Sequence, residues 1–203
     1  MAYNKYTLDD LQTKLQIDVS LKSWLLESYP DFGIDSFLLQ ILDEARLEPL
    51  NSEKARSELI TSPVLKALRR RNPNKFSFFS GYQFNVEKKL DLTGFCDFIF
   101  SLVPNKLTIQ NPVFFVVEAK KDDVEEGLGQ CGAEMYAAQL FNERAENFNR
   151  VIYGCVTTAF SWAFLKLEGK NLYIDPNYVP LTFTEPHRVL AVLQWILDES
   201  LAN

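Results

Sequence analysis

The sequence has little of the chemistry on which many catalytic sites depend. It has one histidine, His187, and three cysteines in 203 residues. A single histidine argues against a Ser-His or Cys-His catalytic pair, and its place at the start of a predicted helix is typical of a surface residue. The cysteines Cys96, Cys131 and Cys155 are odd in number, far apart and set in apolar sequence. They predict buried free thiols rather than a disulfide or a zinc site.

The chain also lacks long apolar runs and linker-like segments. No stretch approaches the roughly 20 apolar residues that a membrane-spanning helix needs, and residues 1–6 carry no apolar run like that of a signal peptide. No segment rich in Gly, Ser or Pro divides the chain, and 47% of its residues are hydrophobic. We therefore expect one cytoplasmic domain, residues 1–203, with a single sizeable core and no contact with a membrane.

A general basic surface is missing as well. The formal net charge is −6 and the sequence pI is about 4.9, the reverse of what a strong non-specific nucleic-acid binder shows. Any affinity for phosphate must then be local. The basic candidates are Arg70 within the run 69–71, Lys89 beside Lys88, and Lys121 beside Lys120. The alternative for the arginines is that they complement the carboxyl end of a helix.

Three charged residues lie within or at the end of two apolar segments of the sequence. Residues 92–102 and 113–120 are rich in aromatic and β-branched residues and have the length of strands. The first contains Asp97 and the second ends with Glu118, an alanine and Lys120. Side chains alternate between the faces of a strand, so Glu118 and Lys120 should lie on one side. If the strands are neighbours, both carboxylates and the lysine meet.

Such a cluster is costly without a cation. Like charges about 4 Å apart repel by roughly 4 kcal/mol at an effective dielectric near 20. Ligation by oxygen alone suits Mg²⁺ or Mn²⁺. The alternative is that these charges are only the solvated tips of buried strands. Asp97 lies between Cys96 and Phe98, and an unpaired acid in that setting favours a functional role.

The remaining pattern predicts helices around a mixed central sheet. We expect a helical region over 1–50, with a capping box at Thr7 and a helix that carries apolar residues from Ile34 to Ala45. A helix should begin at Ser52. Strands at 77–86, 92–102 and 113–120, a helix at 124–147 and strands at 151–158 and 162–167 should follow, and then a helix at 186–197. The order αβββαβ predicts an α/β fold with its core at 52–168 and a carboxy-terminal strand and helix over 169–203.

These residues resemble the PD-(D/E)xK phosphodiesterase superfamily, which has the fold of the restriction endonucleases. The resemblance covers residues 52–168 and rests on Asp97, on the strand that ends with Glu118 and Lys120, and on Gln130 in the next helix. Cys96 stands where the motif has proline. Tyr136 follows Gln130 by six residues, whereas the Q-x-x-x-Y form of this helix has four.

The resemblance implies a restriction-endonuclease-like core and a nuclease that depends on Mg²⁺ or Mn²⁺, with DNA as the expected nucleic acid. Asp97, Glu118 and the carbonyl of Ala119 would hold the ion. Lys120 would orient or help deprotonate the attacking water and neutralise charge on the phosphate.

The resemblance also implies roles for three flanking residues. Glu58 would be an extra acid near the ion, or else an exposed helix residue among Lys54 and Arg56. Gln130 and Glu134 are four apart on one helix face. They would contact the site or the nucleic-acid backbone, or else form a simple polar pair.

Two alternatives from other classes remain. One is a catalytically inactive module that binds nucleic acid or a protein partner, and the other is a structural protein with coincidental charges. The oligomeric state is left open, with a homodimer as one alternative.

Overall fold

The described residues are 3–33, 35–147 and 150–202 of the computed structural model, and they form both helices and strands. The helices are α1 (Leu8–Leu15), α2 (Ser36–Ala45), α3 (Glu53–Arg56), α4 (Ser62–Arg71), α5 (Glu125–Glu143) and α6 (His187–Ala202). The strands are β1 (Asp18–Leu21), β2 (Ser77–Gln83), β3 (Phe95–Ser101), β4 (Val113–Ala119), β5 (Ile152–Thr157), β6 (Ser161–Glu168), β7 (Asn171–Ile174) and β8 (Val179–Pro180). A π-helical turn, Ser57–Thr61, joins α3 to α4, and Tyr3–Lys5 and Lys88–Leu90 are 3-10 turns.

The predicted order of elements is present in the fold. A helix, three strands, a helix and a strand follow one another from α4 to β5. The predicted first strand, 77–86, is shorter because pairing with β3 ends at Gln83. Residues 1–50 are not only helical, since they also supply the strand β1. Ile34, which we expected to begin the helix now seen as α2, lies outside the described residues.

The strands form one mixed sheet. Its order is β1-β7-β6-β5-β4-β3-β2, and β8 also pairs with β6. The pairs β4–β5 and β1–β7 are parallel, whereas the other pairs are antiparallel. A parallel pair needs a crossover connection, and α5 supplies the one between β4 and β5. This places the carboxyl ends of β4 and β5 together at one edge of the sheet.

Both faces of the sheet are covered by helices. One apolar cluster joins the sheet to α2, α4 and α6, and the other joins it to α1 and α5. Every residue of β4 is buried, as expected for a strand packed on both faces. Large aromatic side chains, among them Phe98, Phe100, Phe114 and Trp162, fill the cluster on the α6 side. Burial of β4 on both faces forces any charge at its end into a largely dry environment.

The amino-terminal segment closes over α5. The predicted capping box is confirmed, since Thr7 and Asp10 each accept a hydrogen bond from the other's backbone N–H. The Tyr3 hydroxyl donates to the carbonyl of Phe84 at 2.8 Å. Gly129 of α5 lies so close that a Cβ there would be 2.3 Å from the carbonyl oxygen of Tyr6. The position therefore requires glycine.

The three cysteines are buried free thiols, as predicted. Among the residues that the structure describes, we find no helix with both the length and the apolar character that crossing a membrane requires.

We predict that Gly129→Ala destabilises the fold more than Gly132→Ala does. The Gly129 Cβ would meet backbone atoms of Tyr6 and Thr7, which cannot move without shifting α1, whereas the Gly132 Cβ would meet the flexible end of Leu11. Forced overpacking typically costs about 1–3 kcal/mol, and we expect Gly129→Ala to reach at least the upper part of that range. Urea unfolding of the two variants measures the difference, and equal midpoints would contradict this account of the contact.

Candidate active site

Antiparallel pairing of β3 with β4 brings Asp97 to the end of β4. Phe98 lies opposite Val117, so Asp97 comes next to Glu118. One carboxyl oxygen of Asp97, Oδ2, accepts a hydrogen bond from the backbone N–H of Ala119 at 2.8 Å. The predicted convergence of these two strands on one spot is present in the structure.

Lys120 completes the group from the same end of β4. Its ammonium donates to Oε1 of Glu118 at 2.5 Å and to Oε1 of Gln130 at 3.1 Å. The backbone N–H of Lys120 donates to the carbonyl of Thr157, at the end of β5, which fixes the chain as it leaves the strand. The side chain of Glu118 is 4% exposed and that of Lys120 is 17% exposed. An ammonium has three donors, so one N–H of Lys120 remains without an acceptor among the described residues.

The helix α5 adds a second, deeper acid. Nε2 of Gln130 donates to Oε1 of Glu134 at 3.1 Å, and Glu134 has no exposed surface. Hydrogen bonds thus connect Glu118, Lys120, Gln130 and Glu134 in one row. The predicted i, i+4 pair of Gln130 and Glu134 therefore faces the candidate site from inside the protein.

Burial sets the protonation of the carboxyls. It raises the pKa of Asp97 above its usual value. Burial and the nearby charge of Asp97 raise the pKa of Glu118 to about 8. Burial, and then the charge of Glu118, hold the pKa of Glu134 well above the usual range of a carboxyl. Burial lowers the pKa of Lys120, but the charge of Glu118, its hydrogen bond to the ammonium and the charges of Glu53 and Asp97 together outweigh burial. The net shift is upward, so the lysine is a cation at neutral pH.

These residues fit a hard divalent cation, although they form only part of its ligand set. Oε2 of Glu118 is buried and has no hydrogen-bond partner, and a buried carboxyl oxygen left without a partner is costly. Across the described residues, no group of three or more His, Cys, Asp or Glu side chains is arranged to hold a metal. An ion at Asp97 and Glu118 would therefore keep several waters, as Mg²⁺ usually does.

A third acid, which the sequence analysis did not single out, stands near the group. Burial raises the pKa of Glu53, the charge of Lys120 opposes that shift and the charge of Asp97 adds to it. The charge of Glu53 in turn helps to raise the pKa of Glu118. Glu53 is the first residue of α3, directly after the capping residue Ser52. The guanidinium of Arg56 holds this helix to the carbonyl of Lys121. The sequence signal that could have pointed to Glu53 is the predicted start of a helix at Ser52, the residue directly before it.

The structure places Glu58 one turn further along, in the π-helical turn. Its side chain is 65% exposed and pairs with Lys54 at 3.8 Å. The auxiliary role of Glu58 stays a prediction, and Glu53 is the acid of this helical segment whose charge reaches Asp97 and Glu118. The carbonyl of Ala119 likewise stays a predicted ligand, while its N–H is used to anchor Asp97.

The basic candidates differ in how much of their charge is free. Arg70 forms an ion pair with Asp35 at 2.9 Å, which favours a structural role for this arginine over a phosphate contact. Lys121 is 54% exposed and lies 3.5 Å from a carboxyl oxygen of Asp122. Lys89 is exposed on the 3-10 turn before β3. Lys121 and Lys89 are therefore better placed than Arg70 to meet a phosphate.

A comparison with protein-family models finds no match to this chain, and a search of curated proteins finds no match either. The case for a function therefore depends on the geometry of the site itself.

We predict that the metal-free protein loses stability as the pH rises between about 4.5 and 8. A carboxyl whose pKa is higher in the folded than in the unfolded chain stabilises the fold fully below its unfolded pKa. That contribution is lost as the pH rises through the folded pKa. For Glu118 the two values are 4.5 and about 8, and one proton corresponds to roughly 1.4 kcal/mol per pH unit in that window.

Urea unfolding in chelator across this pH range tests the prediction. Glu118→Gln should flatten the slope by about one proton. Glu168→Gln should leave the slope unchanged, because Glu168 is 55% exposed and lies at the opposite end of β6. A rise in stability with pH over the same window would contradict the assigned sign.

Proposed function

We propose that this protein is a divalent-metal-dependent nuclease with a restriction-endonuclease-like αβββαβ core, and that DNA is its nucleic-acid substrate. The observation that carries the proposal is the convergence of Asp97, Glu118 and Lys120 at the shared edge of β3 and β4. A structural role gives no reason to bury two mutually repelling carboxyls beside a lysine. Phosphodiester hydrolysis gives one, because a cation and an ammonium can share the charge of the transition state.

Asp97 and Glu118 would hold Mg²⁺ or Mn²⁺ in this proposal. The N–H of Ala119 holds Asp97 in place, and Lys120 orients Glu118, so both carboxyls are preorganised before any ion arrives. The bound ion would supply Lewis-acid polarisation of a phosphoryl oxygen. Glu53, at the start of α3, would add negative charge near the group.

Lys120 would act as a fixed positive charge. Glu118 and Gln130 take two of its three N–H donors, and the third can donate to a phosphate oxygen or to the attacking water. Since its pKa is raised, Lys120 stays protonated at neutral pH and stabilises developing negative charge in preference to removing a proton. Gln130 helps Glu118 to hold the ammonium in place.

The charge distribution limits how substrate can bind. With a net charge of −6, the protein would rely on the ion, Lys120, Lys121 and Lys89 to attract phosphate locally. Binding should therefore depend strongly on the divalent ion, since it cancels the two carboxyl charges at the point of contact.

We predict that Asp97→Asn, Glu118→Gln and Lys120→Met each lower kcat/KM for metal-dependent DNA cleavage by at least about 100-fold. Each change removes one charge with little change in shape. Cleavage of single- and double-stranded DNA and RNA with Mg²⁺, Mn²⁺ or chelator measures the effect and the substrate class.

The chain provides matched controls for these variants in a second acid–lysine pair, which is more exposed than the first. Lys166 and Glu168 lie two apart on β6 at 3.5 Å, so Lys166→Met and Glu168→Gln should keep full activity. Full activity in any of the three site variants would remove that residue from the mechanism.

We also predict that Mg²⁺ or Mn²⁺ raises the melting temperature of the wild type. An ion that binds only the folded state at about 100 times its dissociation constant contributes about 2.7 kcal/mol. Asp97→Asn relieves the repulsion and should be at least as stable as the metal-free wild type, yet lose most of the metal-induced shift. Differential scanning fluorimetry with and without chelator measures both, and a full shift in Asp97→Asn would place the ion elsewhere.

A further inference from the structure

A cavity lies at the same end of the sheet as the candidate active site, but toward the face covered by α6 rather than α5. It has a volume of about 800 Å³ and is lined by two loops and by the start of α6. Its lining includes Glu27, Tyr29, Phe32, Tyr178 and Arg188. We refer to it as the Tyr178 pocket. Cavities that take small ligands are commonly about 300–1,000 Å³, so its size suits a nucleotide-sized group.

The register of the sheet gives its distance from the catalytic group. Ala119 lies opposite Thr157, Thr157 opposite Trp162, and Trp162 opposite Val179. Each step between neighbouring strands is about 4.8 Å, so the row from Ala119 to Val179 spans roughly 14 Å. Tyr178 precedes Val179 and, together with Glu125 at the start of α5, lines a neighbouring cleft. One nucleic-acid strand could therefore reach both places.

The walls of the pocket are fixed to each other. Asp175 has no exposed surface, and its Oδ2 accepts hydrogen bonds from the N–H groups of Trp24 and Leu25 at 2.8 and 2.9 Å. Its Oδ1 accepts one from the N–H of Asn177 at 2.8 Å. One buried carboxylate thus joins the loop after β1 to the loop after β7. The pocket is preformed, which reduces the ordering cost of binding.

The chemistry of the lining favours a nucleobase over a phosphate. Two carboxylates, Glu27 and Asp31, lie in the wall with a single permanent cation, Arg188, and that balance disfavours a group with one or two negative charges. Carboxylates accept hydrogen bonds from exocyclic amino groups, as they do from cytosine. The side chain of Tyr178 is near the surface, at 38% exposed, and aromatic rings stack on any base.

We propose that the Tyr178 pocket binds a nucleobase that carries an exocyclic amino group, on the same strand as the phosphate held at Asp97 and Glu118. This rests on the proposed nuclease function. At the 3.4 Å rise per nucleotide of a stacked strand, 14 Å corresponds to about four nucleotides, and to fewer if the strand is stretched. The pocket would then select which sequences are cut.

Binding of fluorescent dC12, dA12 and dT12 in Ca²⁺, a hard cation that takes oxygen ligands, tests this, with a gel to check that the oligonucleotides stay intact. We expect dC12 and dA12 to bind at least about 10-fold more tightly than dT12. Tyr178→Ala should weaken their binding by about 5- to 150-fold, the change that corresponds to the loss of one stacked base. Glu27→Gln should reduce the preference over dT12, because an amide no longer offers only acceptors.

Three comparisons keep the outcome clear. Tyr178→Phe keeps the ring and should bind like the wild type, which separates stacking from a fold defect in Tyr178→Ala. Tyr173→Ala removes a partly buried ring on β7 outside the pocket and should change nothing. If Tyr178→Ala and Glu27→Gln bind and cut DNA like the wild type, the proposed base-binding role of the pocket is wrong, while the proposed nuclease function is unaffected.

The proposed function fails separately. A protein that neither binds nor cuts any of the three oligonucleotides, with or without Mn²⁺, would overturn both proposals. Capture of a decalysine peptide that depends on Glu27, without binding of any oligonucleotide, would overturn both and identify the pocket as a site for a basic protein segment.

Discussion

The hydrogen bond between Lys120 and Glu118 is the interaction on which this end of the molecule depends. Glu118 is almost completely buried and Lys120 is mostly buried, and a lone charge in such a place would cost several kcal/mol. The pair is tolerated because β4, which is buried on both faces, places Glu118 and Lys120 two residues apart on one side. Gln130 of α5 also accepts a hydrogen bond from a second N–H of the lysine. The packing of α5 on the sheet and the stability of the charged pair at the end of β4 therefore depend on each other.

The central part of this solution is predictable from sequence because it is local. Alternation along a strand places Glu118 and Lys120 on one side, and residues 113–119 have the apolar β-branched character of a strand buried on both faces. The pairing of Asp97 with this strand end is also readable, since a short connection between two strands favours antiparallel neighbours. The order of elements from α3 to β5 follows from the same periodicities.

Other features depend on contacts that no local pattern records. The strand β1 has four residues with no clear alternation of burial, and it becomes a strand only by pairing with β7, some 150 residues later. Glu53 and Glu58 lie on the same helical segment, and the sequence does not show which of them faces the site. The hydrogen bond from Arg56 to the carbonyl of Lys121 fixes the orientation of this segment in the structure. Charge pattern alone could not choose between them.

The depth of Glu134 shows why the site and the fold cannot be separated. A carboxyl with no exposed surface and one oxygen without a partner is a liability for stability, and alanine or leucine would pack better on a helix. Its one hydrogen bond accepts from Nε2 of Gln130, which turns the amide so that Oε1 faces Lys120. With the amide reversed, two donors would face each other and the lysine would lose a partner. Glu134 thus acts through Gln130 to hold the ammonium in position.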